Sequence, residues 1–249
     1  MPSLLEEHKN IELLPPALQN AITYLAVTKF PKERKPKKKS LLPPQAARFA
    51  NRMTLVLGTE KKEEYLALLP KLLCSTGTTS WRKYLPVSMF ASTVMDCRTQ
   101  GHVYVRPFAK LFLDLASQMC EIVVFTASTQ AYADQVLAQL DPENRFVQHR
   151  LYRQHCTVIN GGHVKDLRLL GRDVSKVVLA DNSPISMALQ PDNGIIVSAW
   201  TTDYDDKELM DLLMLLQHIA TLNDVQDFLR SRYEFRKWIN RLRPLMDPL

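Results

Sequence analysis

The chain has 249 residues, of which 46% are hydrophobic and 23% charged, with a formal net charge of +6. This composition is that of an ordinary globular protein with room for one substantial domain and extensions, and it argues against two equal domains. No stretch approaches the roughly 18 consecutive apolar residues that suggest a membrane span. The first residues also lack the features of a signal or transit peptide, so we expect an intracellular protein without a span.

Cysteine usage agrees with a reducing compartment. The four cysteines show no CxxC spacing, which indicates neither a zinc site nor a disulfide framework. They are Cys74, Cys97, Cys120 and Cys156. The mitochondrial matrix and the nucleus both remain open as locations.

The positive charge is concentrated in one arm. Residues 31–40 carry six basic residues and Glu33, a local charge of +5, and the rest of the chain is nearly neutral. We therefore expect a polyanion such as RNA, or an acidic membrane surface, to contact this arm, although a solvated tether has the same composition. The candidate contacts are Lys32, Arg34, Lys35, Lys37, Lys38 and Lys39.

The first predicted elements are irregular. A short amphipathic helix at 16–26 precedes a proline-containing linker, and an apolar run at 53–57 predicts a central strand. The loose alternation of apolar and polar residues at 81–105 predicts a small antiparallel excursion around Gly101.

From Arg106 onward, strands and helices alternate. Helices are predicted at 106–119, 129–140, 205–222 and 225–242, and strands at 121–125, 177–180 and 194–200. This order predicts an α/β fold with a doubly wound, Rossmann-like parallel sheet, a small antiparallel insertion and helical extensions at both ends. The predicted units are an extension (1–30), a basic linker (31–50), the domain (51–229) and a basic C-terminal helix (230–249).

Polar residues follow the buried strand at 177–180. Asp181 and Asn182 would stand at the carboxyl edge of the sheet, where open α/β sheets bind their ligands. We therefore expect a functional site there.

Several motifs in one order resemble a known family. They are VVFTAS with YAD (123–134), RLYRQHC (150–156), GHVKDLRLLGRD (162–173), LADNSP (179–184) and Trp200 followed by DYDDKEL (203–209). Over 54–229 the chain resembles the branch of the haloacid dehalogenase superfamily that contains RNA polymerase II carboxy-terminal-domain phosphatases, NLI-interacting-factor-like and Dullard-type phosphatases, and the receptor of the mitochondrial presequence translocase.

The resemblance implies a particular chemistry. In that family, an aspartate in a DxDxT motif forms an aspartyl phosphate, and the second aspartate is the general acid and base. Magnesium is held by the first motif and a later acid, while a hydroxyl and a lysine hold the phosphoryl oxygens. In this chain the resemblance places the phosphate contacts at Thr126, Lys165 and Asn182 and the metal ligand at Asp181.

The first motif departs from the family pattern. The nucleophile position falls on Gly58, the second acid on Glu60 and the threonine on Lys62. Glycine cannot form an acyl phosphate. Asp96 is the other candidate nucleophile, but we expect it in a hairpin.

The sequence therefore favours a pseudophosphatase that serves as a scaffold or interaction subunit of a larger assembly. We expect no catalytic residue and no cofactor. The alternatives are a magnesium-dependent phosphoserine or phosphothreonine phosphatase that recruits Asp96 or Glu60, a phosphate reader that does not hydrolyse, and a presequence-binding protein.

The last predicted helix interleaves arginines with aromatic residues, a pattern suited to phosphate and base contacts. Arg236, Lys237 and Arg241 are its candidate RNA contacts, and a basic solvent-exposed helix face has the same pattern. Protein partners, with RNA as a further candidate, are the partner classes that we expect.

Overall fold

The computed structural model describes residues 14–28, 40–59, 72–73, 92–96, 99–103, 105–200 and 203–246. The basic residues of the arm and Glu60 to Lys62 lie outside these ranges. Within them, no helix is both long enough and apolar enough to cross a membrane.

The secondary structure follows the predicted alternation. The strands of the described ranges are β1 (Met53–Thr59), β2 (Leu72–Leu73), β3 (Ser92–Asp96), β4 (Thr99–Val103), β5 (Cys120–Thr126), β6 (His149–Leu151), β7 (Thr157–Ile159), β8 (Gly162–Val164), β9 (Val177–Asp181) and β10 (Gly194–Ile196). The α-helices there are α1 (Pro16–Val27), α2 (Ala109–Met119), α3 (Gln130–Leu140), α4 (Glu208–Ile219), α5 (Val225–Tyr233) and α6 (Phe235–Met246).

The central sheet has five strands in the order β10-β9-β1-β5-β6, and all of its pairs are parallel. β1 lies in the middle, with Thr59 opposite Thr126 of β5 and Leu57 opposite Ala180 of β9. The prediction of a doubly wound parallel sheet is confirmed. The registers place the carboxyl ends of β1, β5 and β9 at one edge.

The predicted antiparallel insertion is also confirmed. β3 and β4 form a hairpin in a three-stranded sheet with β2, and Asp96 pairs with Thr99 at its tip. A second hairpin, β7-β8, turns at Asn160 and Gly161, whose φ angles of 49° and 78° are left-handed. This conformation explains the Asn-Gly pair there.

Two hydrophobic layers cover the sheet, because successive strand residues face opposite sides. Leu55 and Leu57 of β1 pack with α2, α3 and α4, whereas Val56 between them packs with α1 and α6. The terminal helices α1 and α6 also pack against each other, and Ile22 and Trp238 are buried in this contact layer. The sheet face under Val56 is therefore closed by helices from both ends of the chain.

The end of the chain differs from the prediction. A single helix at 225–242 was expected, but Glu234 adopts a left-handed conformation with φ of 50° and separates α5 from α6. The break turns Phe235 and Trp238 into the core, where they are 2% and 1% exposed. The strand expected at 194–200 is also shorter, ending at Ile196.

A buried polar cluster lies at the amino ends of the strands. Glu121 is fully buried and accepts hydrogen bonds from Nε and Nη2 of Arg172 at 2.7 Å each, Oγ1 of Thr54 at 2.9 Å and Nε2 of Gln45 at 3.2 Å. Burial would raise the pKa of Glu121, but the bonds from Arg172, His149 and Thr54 outweigh it and hold the pKa below its ordinary range.

The same arginine fixes the segment that follows the arm. Nη1 of Arg172 donates to the carbonyl of Pro43 at 2.8 Å, and the amide of Leu41 donates to the carbonyl of Leu169 at 2.7 Å. Phe49 is buried as well. Residues 40–49 are therefore fastened to the domain.

Candidate active-site edge

Three neighbouring strands bring the predicted site residues to one edge. Gly58 lies near the end of β1, between Thr126 at the end of β5 and Asp181 at the end of β9. Parallel strands present their carboxyl ends together, so the predicted edge exists. What matters chemically is how these side chains contact each other.

Lys165 and Asp181 form an ion pair, and both side chains are 0% exposed. Nζ of Lys165 also donates to Oγ of Ser186 at 3.0 Å, and the amide of Ser183 donates to Oδ1 of Asp181 at 2.8 Å. Both carboxylate oxygens of Asp181 therefore have a partner. A buried charge needs such compensation because desolvation is costly.

Local backbone structure delivers Lys165 to this position. The residue follows β8 directly, and its amide donates to the carbonyl of Ser186 at 3.0 Å. Ser186 belongs to a short 3-10 helix, Pro184–Met187, which is separated from the Asp181 strand by two residues. The lysine is thus held at main chain and side chain by the same serine.

Gly58 makes the present position of Asp181 sterically possible. A Cβ atom built on Gly58 would lie 2.8 Å from Cβ of Asp181 and would overlap its carboxylate. The Asp181 side chain therefore occupies the space beside β1 into which a side chain at position 58 would project.

Thr126 lies on the other side of β1 from Asp181. Its side chain is fully buried, and Oγ1 accepts the amide of Ser128 at 2.9 Å. Oγ of Ser128 and Oδ1 of Asn182 are buried without a hydrogen-bond partner in the structure as described. Two polar atoms that could still form hydrogen bonds therefore remain at this edge, one on each side of β1.

The described residues do not fit a magnesium site. Magnesium requires near-octahedral oxygen ligands, whereas Asp181 already binds an ammonium group and a backbone amide. Across the described ranges, no cluster of three or more His, Cys, Asp or Glu side chains could hold a metal ion. We therefore derive no chemical step through a metal.

The candidate RNA contacts of the last helix are partly engaged. Nε of Arg236 donates to the buried Asp192 at 2.7 Å, and Lys237 pairs with Glu234. Arg241 stacks over the ring of Trp238, with 5.7 Å from Cζ to the ring centroid. Their side chains nevertheless reach solvent, so an RNA role for them stays a prediction.

Ser186 was not among the residues predicted for the site. Its only signal in the sequence is its place two residues after Pro184, and no motif gives it a role. The carboxylate candidates Glu60 and Asp96 cannot be placed in the same way. Glu60 lies outside the described residues, and only the backbone of Asp96 is described.

Comparison with known proteins identifies the domain. The family model for NLI interacting factor-like phosphatase matches residues 53–226. The chain belongs to this family. The resemblance inferred from the motifs is therefore confirmed, and members of this phosphatase family generally use magnesium.

Several curated relatives have similar sequences. The chain is 40% identical over 152 residues to "CTD small phosphatase-like protein 3" of Caenorhabditis elegans, a match that covers 61% of this chain and 53% of that protein. It is 39% identical over 137 residues to "CTD nuclear envelope phosphatase 1B" of Danio rerio, covering 55% and 56%. These matches span about half the length of each relative.

Among solved structures, the chain is similar to the fission yeast RNA polymerase II CTD phosphatase Fcp1 bound to beryllium fluoride. The sequence identity is 16% and the TM-score is 0.46, and the match covers 80% of this chain and 63% of that chain. The assignment of the family rests on the sequence match.

Proposed function

We propose that this chain is a catalytically inactive member of the phosphatase family that acts as an interaction subunit. The observation that carries the proposal is the arrangement of Gly58, Asp181 and Lys165. Position 58 offers no carboxylate, and the space for one is filled by the side chain of Asp181.

Asp181 is a poor replacement for the missing nucleophile. Attack on phosphorus requires a carboxylate oxygen with a free approach. One oxygen of Asp181 pairs with Lys165 and the other accepts the amide of Ser183, and the side chain is fully buried. The fold is thus retained, but the contacts of Asp181 leave neither of its carboxylate oxygens free to form an acyl phosphate.

The same contact argues against a phosphate reader. A lysine that neutralises a phosphoryl oxygen must have its charge available, whereas the charge of Lys165 is already compensated by Asp181. Phosphate binding would require the ion pair to open inside the core, so we rank this alternative below the interaction role.

For the partners, the proposal is a protein assembly that also contains RNA. The support is the local charge of +5 in residues 31–40, followed by a segment that is anchored to the domain. We further propose a nuclear location. Its support is that relatives are named for RNA polymerase II or the nuclear envelope, names that describe those proteins.

Hydrolysis of a generic aryl phosphate with magnesium tests the inactivity. We expect the same background rate for the natural chain and for Lys165→Met/Asp181→Leu, a pair removal chosen because it leaves no unpaired buried charge. Turnover that disappears in Glu60→Gln or Asp96→Asn would overturn the proposal and identify the recruited carboxylate.

RNA binding is tested separately by a salt titration. We expect affinity for a single-stranded RNA to fall steeply with salt and to be lost when the six basic residues of the arm are changed to serine. The matched control changes Arg236, Lys237 and Arg241 to serine. Binding that survives the arm change but not the control would assign the contact to α6 instead.

A further inference from the structure

A cleft of about 430 Å³ lies at the amino ends of the strands, away from the edge that holds Lys165 and Asp181. One wall is the segment that follows the arm, including a short 3-10 helix, Ala47–Phe49. The other wall is formed by residues 144–150, which lead into the edge strand β6. The volume is within the range of about 300–1,000 Å³ that is usual for ligand-binding clefts.

The cleft carries an uncompensated positive charge. Arg48 lines it, is exposed, and makes no ion pair with a residue of the described ranges. The one carboxylate of the lining, Glu121, is already bound by the guanidinium of Arg172 at 2.7 Å. The second lining arginine, Arg150, pairs with Asp134 at 3.1 Å. The lining therefore favours a ligand that is neutral or negatively charged.

Two side-chain amides of the lining offer N–H groups. Oδ1 of Asn144 accepts a hydrogen bond from Nη2 of Arg150, and Oε1 of Gln148 accepts the amide of Ile122 at 2.6 Å. Both partners can only donate, so chemistry fixes which amide atom is oxygen. Nδ2 of Asn144 and Nε2 of Gln148 make no hydrogen bond to a described residue. These groups suit a ligand with carbonyl oxygens.

Arg48 also provides a planar surface. Its Cζ lies 4.8 Å from the centroid of the Phe49 ring, and that ring is buried. The ring therefore supports one face of the guanidinium, which leaves the other face available. Nucleobases stack on guanidinium planes of this kind and form hydrogen bonds with neighbouring side chains through their edges.

We propose that the cleft binds one base of a single-stranded RNA, a uracil or guanine that stacks on Arg48 and presents a carbonyl oxygen to Asn144 or Gln148. The arm ends at Ser40, six residues before Ala46 of the lining, and six residues span at most about 20 Å. RNA in the cleft can therefore contact the arm as well. This inference rests on the proposed RNA-containing assembly and names a base contact for it.

Fluorescence anisotropy of the full chain at low salt tests the proposal with three labelled oligonucleotides of equal length. They are an oligouridylate, an oligoadenylate and an abasic ribose-phosphate chain. We expect the oligouridylate to bind about fivefold or more tightly than the abasic chain, because the abasic chain cannot stack. The oligoadenylate, whose base has no carbonyl oxygen, should bind about two- to tenfold more weakly than the oligouridylate.

Arg48→Lys tests the stacking, because lysine keeps the charge and loses the plane. This variant should bind the oligouridylate about fivefold or more weakly than the natural chain and should bind the abasic chain equally well. The matched control is Arg145→Lys, which changes an exposed arginine outside the lining. It should leave the binding of both probes unchanged.

Asn144→Asp and Gln148→Glu test the amide donors. Each variant keeps the accepting oxygen and replaces the NH₂ group by a second oxygen, so each should weaken oligouridylate binding about two- to tenfold. Gln139→Glu adds the same charge at an exposed position of α3 outside the lining and measures the effect of charge alone. Effects no larger than that of Gln139→Glu would overturn recognition by the amides.

The outcomes separate this inference from the proposed function. Equal binding of the oligouridylate and the abasic chain, or equal effects of Arg48→Lys and Arg145→Lys, would overturn the base contact. If that binding still requires the arm, the RNA partner stands and the cleft proposal alone falls. If none of the three probes binds, both fall. Polyglutamate binding with the same sensitivity to Arg48→Lys would assign the cleft to an acidic protein instead and overturn the proposal.

Discussion

The Asp181 carboxylate and a side chain at position 58 exclude each other. A Cβ built on Gly58 lies 2.8 Å from Cβ of Asp181 and overlaps its carboxylate, while Lys165 holds that carboxylate in place. The absence of a side chain at position 58 and the buried ion pair of Lys165 with Asp181 are therefore two aspects of one arrangement. Its steric and electrostatic parts can be tested separately.

The steric part is tested by Gly58→Ala. We expect this change to lower the free energy of unfolding by about 1–3 kcal/mol, because it inserts a methyl group into filled space. Urea denaturation measures the difference. In the background Lys165→Met/Asp181→Ala the overlapping carboxylate is absent, so the same change should cost clearly less. An equal cost in both backgrounds would mean that Asp181 is not the group displaced.

The electrostatic part is tested by removing one or both charges. Asp181→Leu and Lys165→Met should each lower the free energy of unfolding by about 3–5 kcal/mol, because each leaves a buried charge unpaired. The double variant Lys165→Met/Asp181→Leu should recover much of this loss. Denaturation of the natural chain, the two single variants and the double variant at neutral pH gives the coupling energy between the two side chains. If the stability losses of the single variants simply add in the double variant, a direct ion pair is contradicted.

Magnesium should not stabilise the natural chain. The oxygens of Asp181 are engaged, so neither magnesium nor a chelator should move the Tm. Gly58→Asp forces a second carboxylate into the space that Asp181 fills, so this variant should be less stable than the natural chain. A cation that binds both carboxylates should raise the Tm of this variant by an amount that grows with the logarithm of the cation concentration above its Kd. Gly58→Asn is the control with similar volume and no charge. A magnesium-dependent rise in the Tm of the natural chain would contradict the conclusion that the described residues do not fit a magnesium site.

The sequence was sufficient to predict the sheet and the edge of the site. The apolar run before Asp181 and the alternation of strands and helices after Arg106 are visible in the sequence, so a parallel sheet could be predicted without knowledge of contacts. The order of its strands was not predicted. The Lys165 and Asp181 pair did not follow, because strand ends define an edge but not which side chains at that edge touch. The dependence of this pair on Gly58 could not be predicted either, because it arises from the distance between side-chain positions on two neighbouring strands.

Two other features lack a local sequence signal. The helix break at Glu234 uses a left-handed conformation, which a glycine or asparagine at this position would have indicated in the sequence. The cluster around Glu121 joins Gln45 and Arg172, which are distant in sequence, and a lone acid at the start of an apolar strand predicts only an exposed strand end.

The Glu121 cluster predicts a specific dependence of stability on pH. The pKa of Glu121 is held below that of the unfolded chain, about 4.3. Its contribution is therefore fully present above that pH and is lost as the pH falls toward the folded-state pKa. Glu121→Gln should lower the free energy of unfolding by about 3–5 kcal/mol at pH 7, because Arg172 is left buried without its carboxylate. The difference in free energy of unfolding between the variant and the natural chain should become smaller below about pH 4.

The control is Glu143→Gln, which removes an exposed acid. Denaturation curves between acid and neutral pH should show no such gap in the free energy of unfolding for this variant. A gap for Glu121→Gln that stays constant across this range would mean that the ionised carboxylate does not stabilise the cluster.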